Sequence, residues 1–590
     1  MKKILYISAF AVVLAGTTLT SCSDFLEAEN KSSGGITDDS FFSSNPNYLL
    51  TSAYRSMKEF NNQVNLYDEG TDLYANYRVA PSNYDKYIYS AEDGVITSFY
   101  QNCYATIKYA NGVVKYAGED SDMGLQARFL RAYTYYVLTQ QFGRVPYITS
   151  YIQDANRDYP RTDLDEIYGK LSDELTALAQ SSLADIDHSS GKPSKQACNA
   201  LLAKVKLAQA WSKVSETGAD VDASKVSSEA QGIFKDAAEA AVKAIGGRGL
   251  TMTFEDKWSP YKDGNDEVIF AIKYLATNDA PSDNSNSQHG TYGAYYSPLA
   301  TCDSQHAQNS KSLYLFEEGD KRYESTFMTT IYDGASIAEA YFAFYTEDAT
   351  KLASHKIANK YFPYWYTEAE VETWISEHSS QLAKGNTPHR AVLLQDYPVI
   401  YNIQDDGATY TKSSSDSYAQ YAAGAQSCGV KVRKFDDAVT QGYCFRDVVL
   451  MHLSQLYLVA AEAYYMANDQ TNFLKYLNAV RQRAGVGDVT TLEDYRDNKV
   501  NYSYGASTTF GDIKWIDVIL DEYARELYAE KTRWMDLSRT KQLIRYNNEF
   551  NTAVGTGSNV QFLRPIPNGA FTNNTGMIDA DGNYDQNPGY

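Results

Sequence analysis

Tryptophan, cysteine and histidine are scarce in this 590-residue chain, at 6, 6 and 7 residues. Beyond Cys22, the cysteines Cys103, Cys198, Cys302, Cys428 and Cys444 are scattered and odd in number. They lack metal-ligand spacing, allow at most two disulfides, and none is needed at this size. The histidines form no HExxH or other paired-ligand spacing, so a zinc centre is not expected. Asp579–Asp585 contains an Asp-rich turn but lacks the regular spacing and the downstream glutamate of a calcium loop. There is no excess of positive charge: the net charge is -21 and the pI about 4.8. That argues against nucleic acid or an anionic surface as partner. Nucleophile elbow and Walker loop are both missing. No catalytic residue, metal or cofactor is therefore assigned, and the expectation is a protein that is not an enzyme.

Long apolar runs are also missing, with one exception at the start. Lys2 and Lys3 precede a mostly apolar stretch, Ile4 to Leu19, which ends in Leu19-Thr20-Ser21-Cys22. The run is too short and too Thr/Ser-broken for a spanning helix, which needs roughly 20 apolar residues. It has the form of a secretory signal peptide over residues 1–21, with Cys22 placed as the lipid acceptor of a bacterial lipoprotein. Asp24 and Glu27 follow closely. The mature protein is expected to begin at Cys22 and to be held to a membrane by acyl chains, at about 0.8 kcal/mol per buried methylene.

What the chain has in plenty is tyrosine, 51 residues against 23 phenylalanines. Tyrosine offers an apolar face and a hydroxyl at small entropic cost. Most serve as wet core residues, and only clusters in loops point to a ligand surface. Helical periodicity predicts Gly124 to Phe142, a helix behind Thr162–Glu166, and helices over Ser194 to Ser212 and Ala230 to Ile245. Phe445 to Ala467, Phe473 to Arg483 and Trp515 to Lys531 read as three more. Glu526, Glu530, Arg533 and Asp536 then fall at a spacing that puts neighbours on one helical face, where a salt-bridged helix end outweighs an acid/base pair. Glu462, in an apolar helix, calls for a structural contact such as Arg131 or Arg481. Helix pairs with alanine at the contacts suggest tetratricopeptide-like packing. Thr251 to about Gln441 shows no sustained period beyond a short strand at Glu267–Ile272.

Several motifs occur in a characteristic order. They are Cys22–Glu27, Arg128–Tyr136 with Phe142–Tyr147, Gly191–Lys195 leading into Ala200–Val205, Leu456–Tyr464, Leu477–Gly485, Glu526–Leu537, and the terminal Pro565–Pro567 and Asn587–Tyr590. Together they resemble the SusD/RagB family of nutrient-binding lipoproteins of Bacteroidetes. The resemblance implies a mainly α fold: a tetratricopeptide-like helical-repeat scaffold with an irregular, loop-rich ligand-binding subdomain. It implies one ectodomain over 22–590, with the scaffold mainly at 40–250 and 440–550 and the insertion mainly at 251–440. It also implies a lipid-anchored, surface-exposed place at the outer membrane. The function implied is capture of an oligo- or polysaccharide and its delivery to a TonB-dependent, SusC-like transporter. Peptide capture is the alternative within the same scaffold, and a glycoside hydrolase is the enzymatic rival, because a carboxylate pair need only meet in space.

The ligand site is expected between the motifs, where aromatic platforms interleave with polar groups. Asp72 to Tyr89 offers Asp72, Tyr74, Tyr77, Arg78, Asn83, Tyr84 and Tyr89. Asn284 to Tyr296 is a Ser/Asn/Gly loop offering Tyr292, Tyr295 and Tyr296. Tyr361–Tyr366 is a third aromatic cluster, fit for core or for contact with the transporter. Tyrosine-rich loops favour glycan over peptide.

Overall fold

The computed structural model describes residues 38–75, 80–153, 155–275, 285–286, 288–292, 306–333, 344–345, 349–385, 389–423, 430–437, 444–498, 512–555 and 558–590. Helices dominate. The first seven are α1 (Asp38–Ser44), α2 (Asn47–Asn61), α3 (Gly94–Ala117), α4 (Asp122–Phe142), α5 (Leu164–Leu178), α6 (Lys195–Ser212) and α7 (Ser228–Ile245). After the insertion come α8 (Leu453–Met466), α9 (Gln470–Ala484), α10 (Trp515–Glu526), α11 (Arg533–Arg539), α12 (Leu543–Phe550) and α13 (Asn568–Asn573).

Local chemistry sets these boundaries. Asp93, Ser121, Ser194, Ser227 and Asp469 each accept a backbone N–H at the start of the helix that follows. Gly246 and Gly485 close α7 and α9 in the left-handed conformation that glycine adopts without strain. The helix expected behind Thr162–Glu166 forms, but Asp163 makes no side-chain cap bond. Neighbouring helices pack in succession, α2 on α3, α3 on α4, α5 on α6, α6 on α7 and α8 on α9, while α8 also returns to cover α7. This is the tetratricopeptide-like scaffold, and its core is one continuous cluster running from Ala53 to Met577.

Three expectations need correction. Residues 445–452 are not helical: Val448–His452 is a strand, and the helix begins only at Leu453. The strand pairs antiparallel with Val268–Ile272, so its alternation serves a ladder that joins insertion to scaffold. Trp515 to Lys531 is not one helix either. It ends at Glu526, Ala529 and Lys531 take positive φ, and a new helix starts at Arg533. Glu526, Glu530, Arg533 and Asp536 therefore do not share a helical face. The insertion, finally, holds more regular structure than its period suggests.

Eleven strands are described: β1 (Tyr74–Ala75), β2 (Val268–Ile272), β3 (Ala307–Gln308), β4 (Phe327–Met328), β5 (Thr330–Tyr332), β6 (Ile357–Phe362), β7 (His389–Leu393), β8 (Val399–Ile403), β9 (Tyr410–Ser414), β10 (Lys431–Val432) and β11 (Val448–His452). Five form a sheet in the order β5-β6-β7-β8-β9, antiparallel except for β6 beside β7. A short helix, Glu368–Glu377, packs Val371 and Ile375 into the small core on one face of that sheet. Tyr361, Phe362 and Tyr364 are buried, which makes this part of the third aromatic cluster core, while Tyr366 is partly exposed.

Charged groups are sealed where insertion meets scaffold. Glu526 receives Lys257 at 3.1 Å and Arg483, and Glu522 receives Arg322 at 2.6 Å and Arg525 at 2.7 Å. Burial opposes the charged form of Glu530, but Lys434 and His452 hold its carboxyl down to about 2. Glu462 is fully buried, and its partners are Arg539 and the Trp211 indole N–H at 2.6 Å rather than Arg131 or Arg481. Arg131 instead meets Glu174 at 2.9 Å, and Arg481 meets Glu317 at 3.1 Å.

Candidate functional site

The two loop segments singled out from the sequence touch at Tyr74 and Tyr292, ring centroids 6.0 Å apart, and the first of them also meets residues 307–309, which the sequence reading did not single out. Tyr74 and Ala75 pair with Gln308 and Ala307, and Asn309 donates its backbone N–H to the Leu73 carbonyl at 3.3 Å. Beside this miniature sheet lies a recess of about 250 Å³. Tyr74 and Phe550 give it aromatic walls, Asp85, Ser310, Lys311 and Asn551 give it polar groups, and Ala419 closes one side.

Its floor is rigid. Asp72 is fully buried and accepts both Nε and Nη2 of Arg533, at 2.7 and 2.6 Å. That is the planar two-bond pairing a guanidinium makes with a carboxylate. Burial disfavours the Arg533 charge, yet Asp72 outweighs it and lifts the guanidinium above its usual range. Lys311 reaches Asp521 at 2.9 Å and lies 4.5 Å from the Phe550 ring centroid. Asp85 accepts the Gly70 and Ser82 backbone N–H groups at 3.1 and 2.9 Å, and burial pushes its carboxyl up. Asn551 donates to the Asp85 carbonyl at 2.9 Å, tying the end of α12 to the loop.

The individual residues differ from the expectation. Tyr74, Tyr84, Tyr89 and Tyr292 are buried, at 5, 6, 8 and 2% exposure, so their rings do not serve as open platforms. Tyr74 accepts the Ala529 N–H at 2.8 Å, Tyr84 donates to Asp93, and Tyr292 donates to Asp68. Tyr89 stacks between Tyr84 and Tyr590. Asp72 faces Arg533 rather than a ligand. Among the described candidates only Asn83 is exposed. Tyr77, Arg78, Tyr295, Tyr296 and Cys22 lie outside the described residues. Asn309, Ser310, Lys311, Phe550 and Asn551 escaped the sequence reading. They carry no local signal, and Phe550 and Asn551 reach the site from more than 450 residues away, a separation seen in the Asn551–Asp85 bond.

A titratable cluster lies beside Tyr74 and Tyr292. Burial pushes the Asp68 and Glu69 carboxyls up to about 7, and burial lowers His306 to about 4. His306 Nε2 is 3.5 Å from Glu69.

One arrangement imitates a hydrolase. Ser454 Oγ is 2.9 Å from His452 Nδ1, and His452 Nε2 is 2.8 Å from Glu530. Ser454 is fully buried, His452 is 1% exposed, and Lys257 occupies the same space at 2.9 Å from Ser454. A nucleophile must reach its substrate, so this constellation acts as a structural clasp. Among the described residues no group of three or more His, Cys, Asp or Glu is placed to hold a metal. In the Asp579–Asp585 turn, Asp579 accepts the Asp581 and Asn583 N–H groups at 3.0 and 2.8 Å.

Comparison with known proteins agrees with this architecture. The SusD family model matches residues 233–590, and a model described as starch-binding, associating with outer membrane, matches residues 24–207. The chain belongs to the SusD family. It is 23% identical over 521 residues to SusD-like protein P2 of Formosa agariphila, covering 85% of this chain and 81% of that protein. A laminarin-binding SusD-like protein superposes with a TM-score of 0.58 at 18% identity, covering 93% of this chain and 99% of the other. A structure solved with xylogluco-oligosaccharide gives a TM-score of 0.58 at 16% identity, with 90% and 97% covered.

Proposed function

We propose that this protein captures oligo- or polysaccharide at the cell surface and passes it, unaltered, to a TonB-dependent SusC-like transporter. The acyl chains on Cys22 hold it to the outer membrane. The observation that carries the reading is the recess beside β1 and β3, where Ser310, Lys311 and Asn551 line a pocket backed by the buried rings of Tyr74 and Phe550. Apolar lining takes the carbon-bound face of a sugar ring, and amide, hydroxyl and ammonium groups take its hydroxyls. Family membership supports it, as do the laminarin and xylogluco-oligosaccharide named for two proteins of like fold. Tyr77, Arg78, Tyr295 and Tyr296 stay candidates to extend the site, because their segments leave from Ala75 and Tyr292 beside the recess.

The test is isothermal titration against a panel of polysaccharides and a peptide digest, repeated with Ala419→Trp. Ala419 is exposed and lines the recess, so the indole blocks it without disturbing the core. Saturable heat with a glycan, lost in the variant at unchanged melting temperature, is the expected result. Heat with peptides alone refutes the glycan reading, and release of reducing sugar refutes capture without turnover.

A further inference from the structure

A second recess, of about 370 Å³, lies between α3, the segment 146–159 and α13, and shares no lining residue with the first. Its chemistry sets it apart. Among the described residues Arg157 is its single charged lining residue, in a chain that is 22% charged, and no described carboxylate lines it. Three tyrosines do. Tyr100 and Tyr104 are one turn apart on α3, with ring centroids 4.8 Å apart, and Tyr104 donates to the Pro146 carbonyl at 2.8 Å. Tyr159 stands on the facing segment.

That segment is fixed by the C-terminal tail. Asn574 accepts the Tyr159 N–H at 3.0 Å and donates to the Tyr159 carbonyl at 2.7 Å. The Thr575 N–H reaches the Arg157 carbonyl at 2.7 Å. A Cβ at Gly576 would come within 2.5 Å of the Tyr159 nitrogen, so the tail packs this closely only because the position is glycine. The recess is thus formed before a ligand arrives, which lowers the ordering cost of binding. At the exposed rim, the Gln101 amide and the Arg157 guanidinium have no side-chain partner among the described residues.

We propose that this recess is a second carbohydrate site, taking one neutral sugar unit. The proposal rests on the carbohydrate reading above. Ile148, Ile152 and the tyrosine rings cover the apolar face of the sugar, and Gln101, Arg157 and Asn573 bond its hydroxyls. Among the described residues an anionic ligand finds a single cation there, and a cationic one finds no carboxylate. Two sites on one chain let a polymer bind at both, raising its overall affinity without new contacts.

Gly569 offers the test. It lines the recess, a Cβ there meets nothing within 4 Å, and its φ is not positive, so Gly569→Trp fills the space without backbone strain. The full chain in detergent is titrated with short neutral oligosaccharides of glucose, mannose and galactose, and with the matching polymers. The wild type is expected to take about two oligosaccharides per chain, and Gly569→Trp and Ala419→Trp about one each. Polymer affinity is expected to fall on the order of 10²-fold in either variant. The pair Gln101→Ala with Arg157→Ala gives the same loss at the second site while leaving the tyrosines in place. Unchanged stoichiometry in Gly569→Trp overturns the proposal. So does a wild type with about one site that Ala419→Trp abolishes, a result that leaves the capture function standing. No heat with any oligosaccharide, alongside heat with peptides, removes the capture reading and this site together.

Discussion

Replacing Asp72 by alanine tests whether the convergent loops are held by buried charge or recognise ligand through it. Asp72 is fully buried, and its partner Arg533 is 3% exposed. Removing the carboxylate strands a guanidinium that water cannot reach. The penalty for breaking such a pair from one side is about 3–5 kcal/mol. With about 2.1 cal/mol/K of unfolding entropy per residue, a chain of 590 residues has about 1.2 kcal/mol/K, so about 4 kcal/mol lowers the melting temperature by about 3 °C. Adding Arg533→Met removes the stranded charge and is expected to recover about 2 kcal/mol or more. The assay is calorimetric melting of wild type, both single variants and the double variant, with glycan titration of each. Glycan binding is expected to return with stability in the double variant. A single-variant loss below about 1 kcal/mol, or a double variant that melts normally yet binds nothing, refutes the structural role of Asp72.

Stability is also expected to depend on pH in two opposite ways. The raised carboxyls of Asp68 and Glu69 keep a proton in the folded state that the unfolded chain has lost above about pH 4.5. Their contribution is therefore full below about pH 4 and falls as pH rises to about 7, by up to about 1.4 kcal/mol per pH unit for each group. Asp68→Asn should flatten that decline in urea melts taken from pH 5 to 8. Glu530, held low, contributes above about pH 4.5 and loses its contribution as pH falls toward about 2, so Glu530→Gln should reduce the acid dependence of urea melts taken from about pH 5 down to about pH 2. Glu462→Ala should destabilise by about 1–3 kcal/mol, measured by thermal melting, because it leaves the buried Trp211 indole N–H without its acceptor and Arg539 with Asp536 alone.

Much of the scaffold was legible in the sequence because its rules are local. Apolar residues every three or four positions, with Ser121, Ser194 and Ser227 as caps, fix α4, α6 and α7 to within two residues. Two errors arose where a tertiary partner overrides the local pattern. Val448–His452 carries helix-compatible residues but finds an open strand at Val268–Ile272. Glu526–Asp536 has helical spacing, yet each acid is drawn to a different cation, Lys257 and Arg483 for Glu526 and Lys434 for Glu530, and the chain breaks between them to reach both. The long helix α3 and the five-stranded sheet were not read at all, the sheet because its strands pair across turns of variable length.

At the candidate site, composition pointed to tyrosines that the structure buries. A tyrosine in a loop-like segment carries the same sequence signal whether its ring faces solvent or core. Tyr84 and Tyr292 are buried because Asp93 and Asp68 are there to accept their hydroxyls, and a chain read one residue at a time does not display those partners. The sequence by itself determined the acidic, tyrosine-rich character of the protein, its family and the positions of its principal helices, since charge, composition and period are properties of neighbouring residues. Which side chains line a recess was decided only by the tertiary structure. Asn551 meets Asp85, and Asn574 meets Tyr159, through contacts made across 466 and 415 residues, and such contacts form only once the whole core has closed around them.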